Sequence, residues 1–212
     1  METPERGKRV TEERQGAVFL DRDGTINEEV GYLDSLEKLK LIPGAAEAIR
    51  LINKSGMRAV VITNQSGVAR GFFDESFVEA VHARLAGMLH EENAFLDSIY
   101  FCPHHPTDGL GKYLQTCVCR KPAPGLLVRA VEELRLDTTR SYMVGDTLKD
   151  IEAGARAGIK GILVRTGYGE TEEKALSGVG CDAQSGVAAI WPVHIARNLL
   201  DAVKWILEER KP

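Results

Sequence analysis

The sequence contains no uninterrupted apolar run approaching the roughly 18 residues of a membrane span. A membrane-embedded class is thereby excluded. Residues Met1 to Gln15 are rich in charge and hold no apolar stretch. They read as a flexible N-terminal tail, residues 1–15, and not as a signal peptide or anchor. A cytoplasmic protein without a membrane partner is expected. The chain also lacks a basic surplus: 27 Lys and Arg stand against 31 Asp and Glu, for a net charge of −4. That balance argues against a dedicated nucleic-acid binder. An anionic substrate must then be met by local charge and not by a global field. Cysteine is scarce, with four residues, and three of them fall between Cys102 and Cys119 while Cys181 stands apart. Without an export signal, clustered cysteines read as metal ligands in preference to disulfide partners. Aromatics are few, and Trp191 and Trp205 are expected to serve core or edge packing. No internal repeat, low-complexity stretch or interdomain linker occurs.

What is present suits one domain over residues 16–212. Apolar bursts at Ala17 to Leu20, Arg58 to Thr63, Ser98 to Phe101, Tyr142 to Val144 and Gly161 to Val164 read as buried parallel strands. Helices are expected from Pro43-Gly44 to about Asn53, from an Asp74 N-cap to about Glu92, over Leu126 to Leu134 and over Leu148 to Ala157, with Gly158 as the last one's cap. The tail from His194 to Glu209 reads as one amphipathic segment with Ile195, Leu199, Val203 and Ile206 on a stripe. Strands alternating with helices imply an α/β fold with a doubly wound, mainly parallel, Rossmann-like sheet. In such sheets ligands bind beyond the C-terminal strand ends. Asp21 and Asp23, Thr63 and Asn64, and Asp146 all fall there, and Lys121 enters from a loop before a helix.

Two carboxylates one residue apart at the end of a buried strand repel each other, and strand alternation would place both on one face. A divalent cation resolves that conflict. Hard oxygen ligands at an open edge suit Mg²⁺, with Asp146 adding a carboxylate and Asp150, one turn on, buttressing the site. A carboxylate beside Mg²⁺ can attack phosphorus. The Lys121 ammonium and Thr63 hydroxyl can neutralise charge on the transferred phosphoryl oxygens.

The set Asp21-x-Asp23-Gly-Thr, Thr63-Asn64, Lys121-Pro122 and Gly145-Asp146-x-x-x-Asp150 resembles the four motifs of the haloacid-dehalogenase-like phosphohydrolases, over about Ala17 to Gly167. The resemblance implies Asp21 as nucleophile and Asp23 as general acid and base. Thr63 and Lys121 would bind the phosphoryl group. Asp21, the backbone carbonyl of Asp23 and Asp146 would hold magnesium.

Cys102-Pro-His104 and Cys117-Val-Cys119 form two ligand pairs, each with one intervening residue. In extended chain, residues two apart point the same way. Three thiolates and an imidazole make a closed Cys₃His site that suits structural Zn²⁺ in a loop over residues 102–119. The same alternation turns His105 away. Arg120 and Lys121 follow Cys119 directly, so zinc would fix the loop that aims two cations at the substrate. Only about 17 residues separate Thr25 from Pro43, too few for a cap domain, so specificity must come from loops.

The zinc loop narrows the resemblance to the branch of the superfamily that holds heptose bisphosphate phosphatases and histidinol-phosphate phosphatases. The heptose members imply a compact, capless enzyme, a monomer, that removes the 7-phosphate of D-glycero-D-manno-heptose 1,7-bisphosphate in nucleotide-heptose synthesis for bacterial surface glycans. Histidinol phosphate or another small phosphomonoester is the alternative substrate. Implied substrate contacts are Asp21, Arg22 and Asp23; Glu29, Val30, Gly31 and Tyr32; Thr63, Asn64, Gln65 and Ser66; and Arg120 and Lys121. The chain beyond Gly178 is longer than that pattern and receives no function.

Overall fold

The computed structural model describes residues 14–178 and 191–211. The expected tail up to residue 13 and the lone Cys181 lie outside the described residues. In chain order the elements are β1 (Ala17–Leu20), α1 (Ala45–Lys54), β2 (Arg58–Asn64), α2 (Ser66–Ala69), α3 (Glu75–Glu91) and β3 (Ser98–Cys102). There follow α4 (Gly125–Glu133), β4 (Tyr142–Gly145), α5 (Leu148–Arg156), β5 (Lys160–Val164), α6 (Gly169–Gly178), β6 (His194–Ala196) and α7 (Leu199–Glu209).

The six strands form one parallel sheet in the order β3-β2-β1-β4-β5-β6. The strands are apolar on both faces because both faces are covered. One face packs Val18, Leu20, Val61 and Val144 against Ile49 and Ile52 of α1, Leu85 and Leu89 of α3, and Val203 and Ile206 of α7. The other packs Phe19, Val60, Ile62 and Met143 against Leu127 and Ala130 of α4 and Ala153 of α5. The chain winds outward from β1 in one direction through β2 and β3, then returns to β1's other edge through β4. The strand order therefore reverses between β1 and β4, which opens a crevice at their carboxyl ends.

Five strands and four helices stand where the residue pattern places them. Asp74 caps α3 by accepting a hydrogen bond from the Phe77 amide at 2.8 Å, and Gly158 takes the left-handed conformation after α5 (φ +71°). The tail departs from expectation. His194–Ala196 is a sixth strand, and the helix begins only at Leu199. Ile195 and Leu199 share helical spacing by coincidence. Asn198 marks the true start, its side chain accepting from the Asp201 amide at 3.0 Å. Trp205 packs edge-on to Tyr142 and stacks on His194, whereas Trp191 is about half exposed and not a core residue. Among the described residues no helix is long and apolar enough to cross a membrane. Residues 26–42 between β1 and α1 form a loop with a single 3₁₀ turn at Leu36–Lys38 and no inserted domain.

Candidate active site

The C-terminal ends of β1, β2 and β4 and the loop before α4 meet in one cleft of about 190 Å³. Asp21 leaves β1 with its amide donating to the Val144 carbonyl at 2.9 Å, which ties the two central strands together at the site. The chain then turns tightly. The amides of Ile26 and Asn27 both donate to the Arg22 carbonyl. Gly24 sits at φ +78°, and a β-carbon there, or at Gly167, would collide with the Asp146 carboxylate. These two glycines let the β1 turn and the loop after β5 close on Asp146, whose Oδ2 accepts from the Tyr168 amide at 2.8 Å.

Lys121 is 4% exposed and its ammonium sits between two carboxylates, 2.6 Å from Asp21 and 2.6 Å from Asp150. It also donates to the Ile62 carbonyl at 2.8 Å. Burial alone would lower its pKa, but Asp150 and Asp21 outweigh that and hold the ammonium form well above its usual range. Asn64 fixes the backbone at this point, accepting from the Lys121 amide and donating to its carbonyl, both at 3.1 Å.

Asp21, Asp146 and Asp150 each bring a carboxylate oxygen within 4.8 Å of the others. Burial pushes Asp21 up to about 7, with Lys121 opposing and Asp150 adding. Burial likewise pushes Asp146 up to about 8, reinforced by Asp21 and Asp150. Three crowded, desolvated carboxyls with raised proton affinity fit a divalent cation, which would replace the protons. Asp150 is the least free of the three. Its Oδ2 accepts from the amide and hydroxyl of Thr147, and its Oδ1 faces Lys121.

The Asp23 carboxylate lies outside that group, although both Asp21 and Asp23 line the cleft. It accepts from Asn27 at 2.9 Å, Gln65 at 3.0 Å and Arg22 at 2.7 Å. Burial would raise its pKa, but Arg22 and these hydrogen bonds hold it below the usual carboxylate range. Gln65 Nε2 also donates to the Thr63 hydroxyl at 2.8 Å, which leaves the hydroxyl's own proton to point elsewhere.

The cleft is further lined by Glu29, Gly31, Tyr32, Asn64, Gln65 and Ser66. Two expected substrate contacts are not in its lining. Val30 is 42% exposed and absent from the lining. Arg120 turns to the zinc loop and donates to the His104 carbonyl at 3.2 Å. The Arg22 guanidinium is buried and engaged with Asp23, Gln65 and His82, so no more than the rest of that residue faces the cleft. Sequence reasoning missed Thr147, Lys149 and Tyr168, which also line it. Thr147 and Lys149 lie inside the Gly145-to-Asp150 motif and were within reach. Tyr168 sits on a loop whose approach only the fold reveals.

At the cleft's edge the four expected ligands meet. Cys102 Sγ lies 3.5 Å from Cys117 Sγ and 3.7 Å from His104 Nδ1. Cys119 Sγ lies 3.1 Å from each of the other two sulfurs and 3.3 Å from His104. These separations are far too long for disulfides. They approach the edge of about 3.7 Å expected of a tetrahedron with Zn–S bonds near 2.3 Å. Contacts with Cys102, Cys117 and His104 lower the Cys119 pKa to about 5, while Cys119 and burial raise that of Cys102, a conflict among crowded thiols that a metal ion would relieve. His105 points away, as expected, with its Nδ1 accepting from the Asp108 amide at 3.0 Å.

A family model described as haloacid dehalogenase-like hydrolase matches residues 3–158, and a second, HAD-hydrolase-like model matches residues 118–202. The chain is 45% identical to the D-glycero-beta-D-manno-heptose-1,7-bisphosphate 7-phosphatase of Haemophilus influenzae, over 74% of this chain and 85% of that one. It is 41% identical to the protein of that name from Salmonella typhi, over 89% and 95%. Among solved structures it is similar to the D,D-heptose 1,7-bisphosphate phosphatase of B. bronchiseptica complexed with magnesium and phosphate. That match has a TM-score of 0.76 and 31% identity and covers 92% of this chain and 99% of the other. Motifs, fold and relatives agree: the chain belongs to the haloacid dehalogenase-like hydrolases and is a phosphatase of that family.

Proposed function

We propose that the protein removes the 7-phosphate of D-glycero-D-manno-heptose 1,7-bisphosphate through an aspartyl-phosphate on Asp21. The observation that carries this reading is similarity of 40% or more, over most of the chain, to relatives that bear that activity in their names. The cleft supplies the parts the chemistry needs.

Asp21 stands at the floor of the cleft, with Lys121 beside it. Its carboxylate attacks the phosphorus in line with the sugar oxygen. The Lys121 ammonium and the Thr63 hydroxyl proton stabilise the phosphoryl oxygens as charge spreads over them. Asp23 starts ionised, since Arg22, Asn27 and Gln65 favour that form. An arriving phosphate dianion raises its proton affinity, so Asp23 takes up a proton from solvent as the substrate binds. Asp23 then gives a proton to the departing sugar oxygen, and later takes one from the water that hydrolyses the aspartyl-phosphate.

Asp21, the backbone carbonyl of Asp23 and Asp146 would hold magnesium, with Asp150 engaged behind them by Lys121 and Thr147. Bound there, magnesium neutralises phosphoryl oxygens and the crowded carboxylates. Cys102, His104, Cys117 and Cys119 would hold a structural zinc with no open position. Its role is to fix the loop that ends in Arg120 and Lys121, with Arg120 braced on the His104 carbonyl. Glu29, Gly31 and Tyr32 stand on the cleft wall to meet sugar hydroxyls. Burial raises the pKa of Glu29.

Phosphate release measured with Mg²⁺ on heptose 1,7-bisphosphate and on histidinol phosphate, side by side, tests the reading. A much higher kcat/KM for the heptose is expected. A preference for histidinol phosphate would remove the heptose assignment and leave the phosphatase standing.

A further inference from the structure

Among the described residues, five carboxylates line the cleft against three cations. Two of the cations are neutralised in place. Arg22 is paired with Asp23, and Lys121 lies between Asp21 and Asp150. The third, Lys149, is exposed and makes no ion pair or hydrogen bond with any described residue. It stands in the first turn of α5, the positive end of that helix, where a cation is disfavoured. Neither a local ion pair among the described residues nor the helix end therefore gives this position a reason to carry a lysine. Substrate binding gives it one.

A volume of about 190 Å³ is below the roughly 300 Å³ at which pockets begin to enclose a whole drug-sized ligand. The reacting phosphate fills the floor, and the remainder of a sugar bisphosphate must lie at the rim. Lys149 belongs to that rim. Its field reaches His105 on the zinc loop together with those of Arg70 and Arg120. Arg70 is already paired with Asp108, and Arg120 is braced on the His104 carbonyl. Lys149 is the one cation in the cleft lining left without a carboxylate among the described residues.

We propose that Lys149 determines specificity by receiving the second, non-reacting phosphate of a sugar bisphosphate while the first sits at Asp21. The inference rests on the bisphosphatase reading above. It differs from a role at the reacting phosphorus, which Lys121 already serves from the cleft floor.

The test compares native protein with K149M and K149R on heptose 1,7-bisphosphate and on heptose 7-phosphate. K149M should lower the ratio of the two kcat/KM values by about 10- to 100-fold, the loss of a charged hydrogen bond, and chiefly through KM. K149R should restore most of the ratio. Raised salt should weaken the native preference as it screens the exposed ammonium. An unchanged ratio in K149M, or equal losses on both substrates, would overturn the proposal while the substrate reading stands. Absence of heptose turnover by native protein would sink the substrate reading instead. Fructose 1,6-bisphosphate against fructose 6-phosphate then measures the same ratio, and no change in K149M there overturns the role of Lys149.

Discussion

The side chain of Asn64 clasps the backbone of Lys121, accepting from its amide and donating to its carbonyl at 3.1 Å each. The two residues are 57 apart in sequence, and the pair joins the end of β2 to the end of the zinc loop. Lys121 can hold its ammonium 2.6 Å from Asp21 because its main chain is held at this point. Asn64→Ala should lower kcat by about 10- to 100-fold through a displaced lysine and cost about 1–3 kcal/mol of stability. Steady-state kinetics and urea unfolding measure the two effects. An unchanged kcat would show that Lys121 is placed without this clasp.

The two catalytic aspartates should fail differently. Asp21→Asn should abolish turnover and leave no phosphorylated protein, since an amide is no nucleophile. Asp23→Asn should slow both formation and hydrolysis of the phosphoenzyme, by about 10²- to 10⁴-fold for a lost general acid and base. Single-turnover kinetics with acid quench separate the two steps. Near-native rates in either variant would contradict the assigned roles.

The parts of this site legible in the sequence are those set by short local patterns. Asp21 to Thr25 follows a buried strand directly, so its turn and its place at the sheet edge are both readable. The ligand pairs Cys102/His104 and Cys117/Cys119 are readable because spacing alone aligns each pair. Tyr168 was not legible, since its amide meets Asp146 only after β5 returns beside β4. Nor was α6, whose acid-rich start offers no apolar stripe. The strand β6 was hidden by its length of three residues and by helical spacing that continues into α7. The direction in which Arg120 turns, onto the His104 carbonyl, was not legible either, because adjacency to Lys121 says nothing of which way a long side chain points.

Metal content gives a further expectation. After exhaustive dialysis the protein should keep about one zinc per chain, while magnesium exchanges freely. Cys117→Ser should lower the melting temperature and depress activity through the loosened loop. A zinc-free protein with full activity and unchanged stability would defeat the structural-zinc reading.

His82 predicts a pH dependence of stability. It is buried beside the Arg22 guanidinium, with 3.3 Å between the two nitrogens. Burial, with Arg22 adding, lowers its pKa to about 4 from an ordinary value near 6.5. The unfolded chain therefore binds more protons between those values, and stability falls as pH drops from 6.5 toward 4. The contribution is on the order of a few kcal/mol and is fully present above pH 6.5. His82→Gln should flatten the curve in that window. Equal slopes for the two proteins in chemical unfolding from pH 4 to 7 would contradict the assignment.

The most direct measurement of the central claim is phosphorus NMR of heptose 1,7-bisphosphate incubated with the protein and Mg²⁺. Attack by Asp21 at the phosphate on carbon 7 predicts loss of that resonance, growth of inorganic phosphate and persistence of the anomeric phosphate signal. Loss of the anomeric phosphate with the 7-phosphate intact, or no release of phosphate at all, would contradict the account.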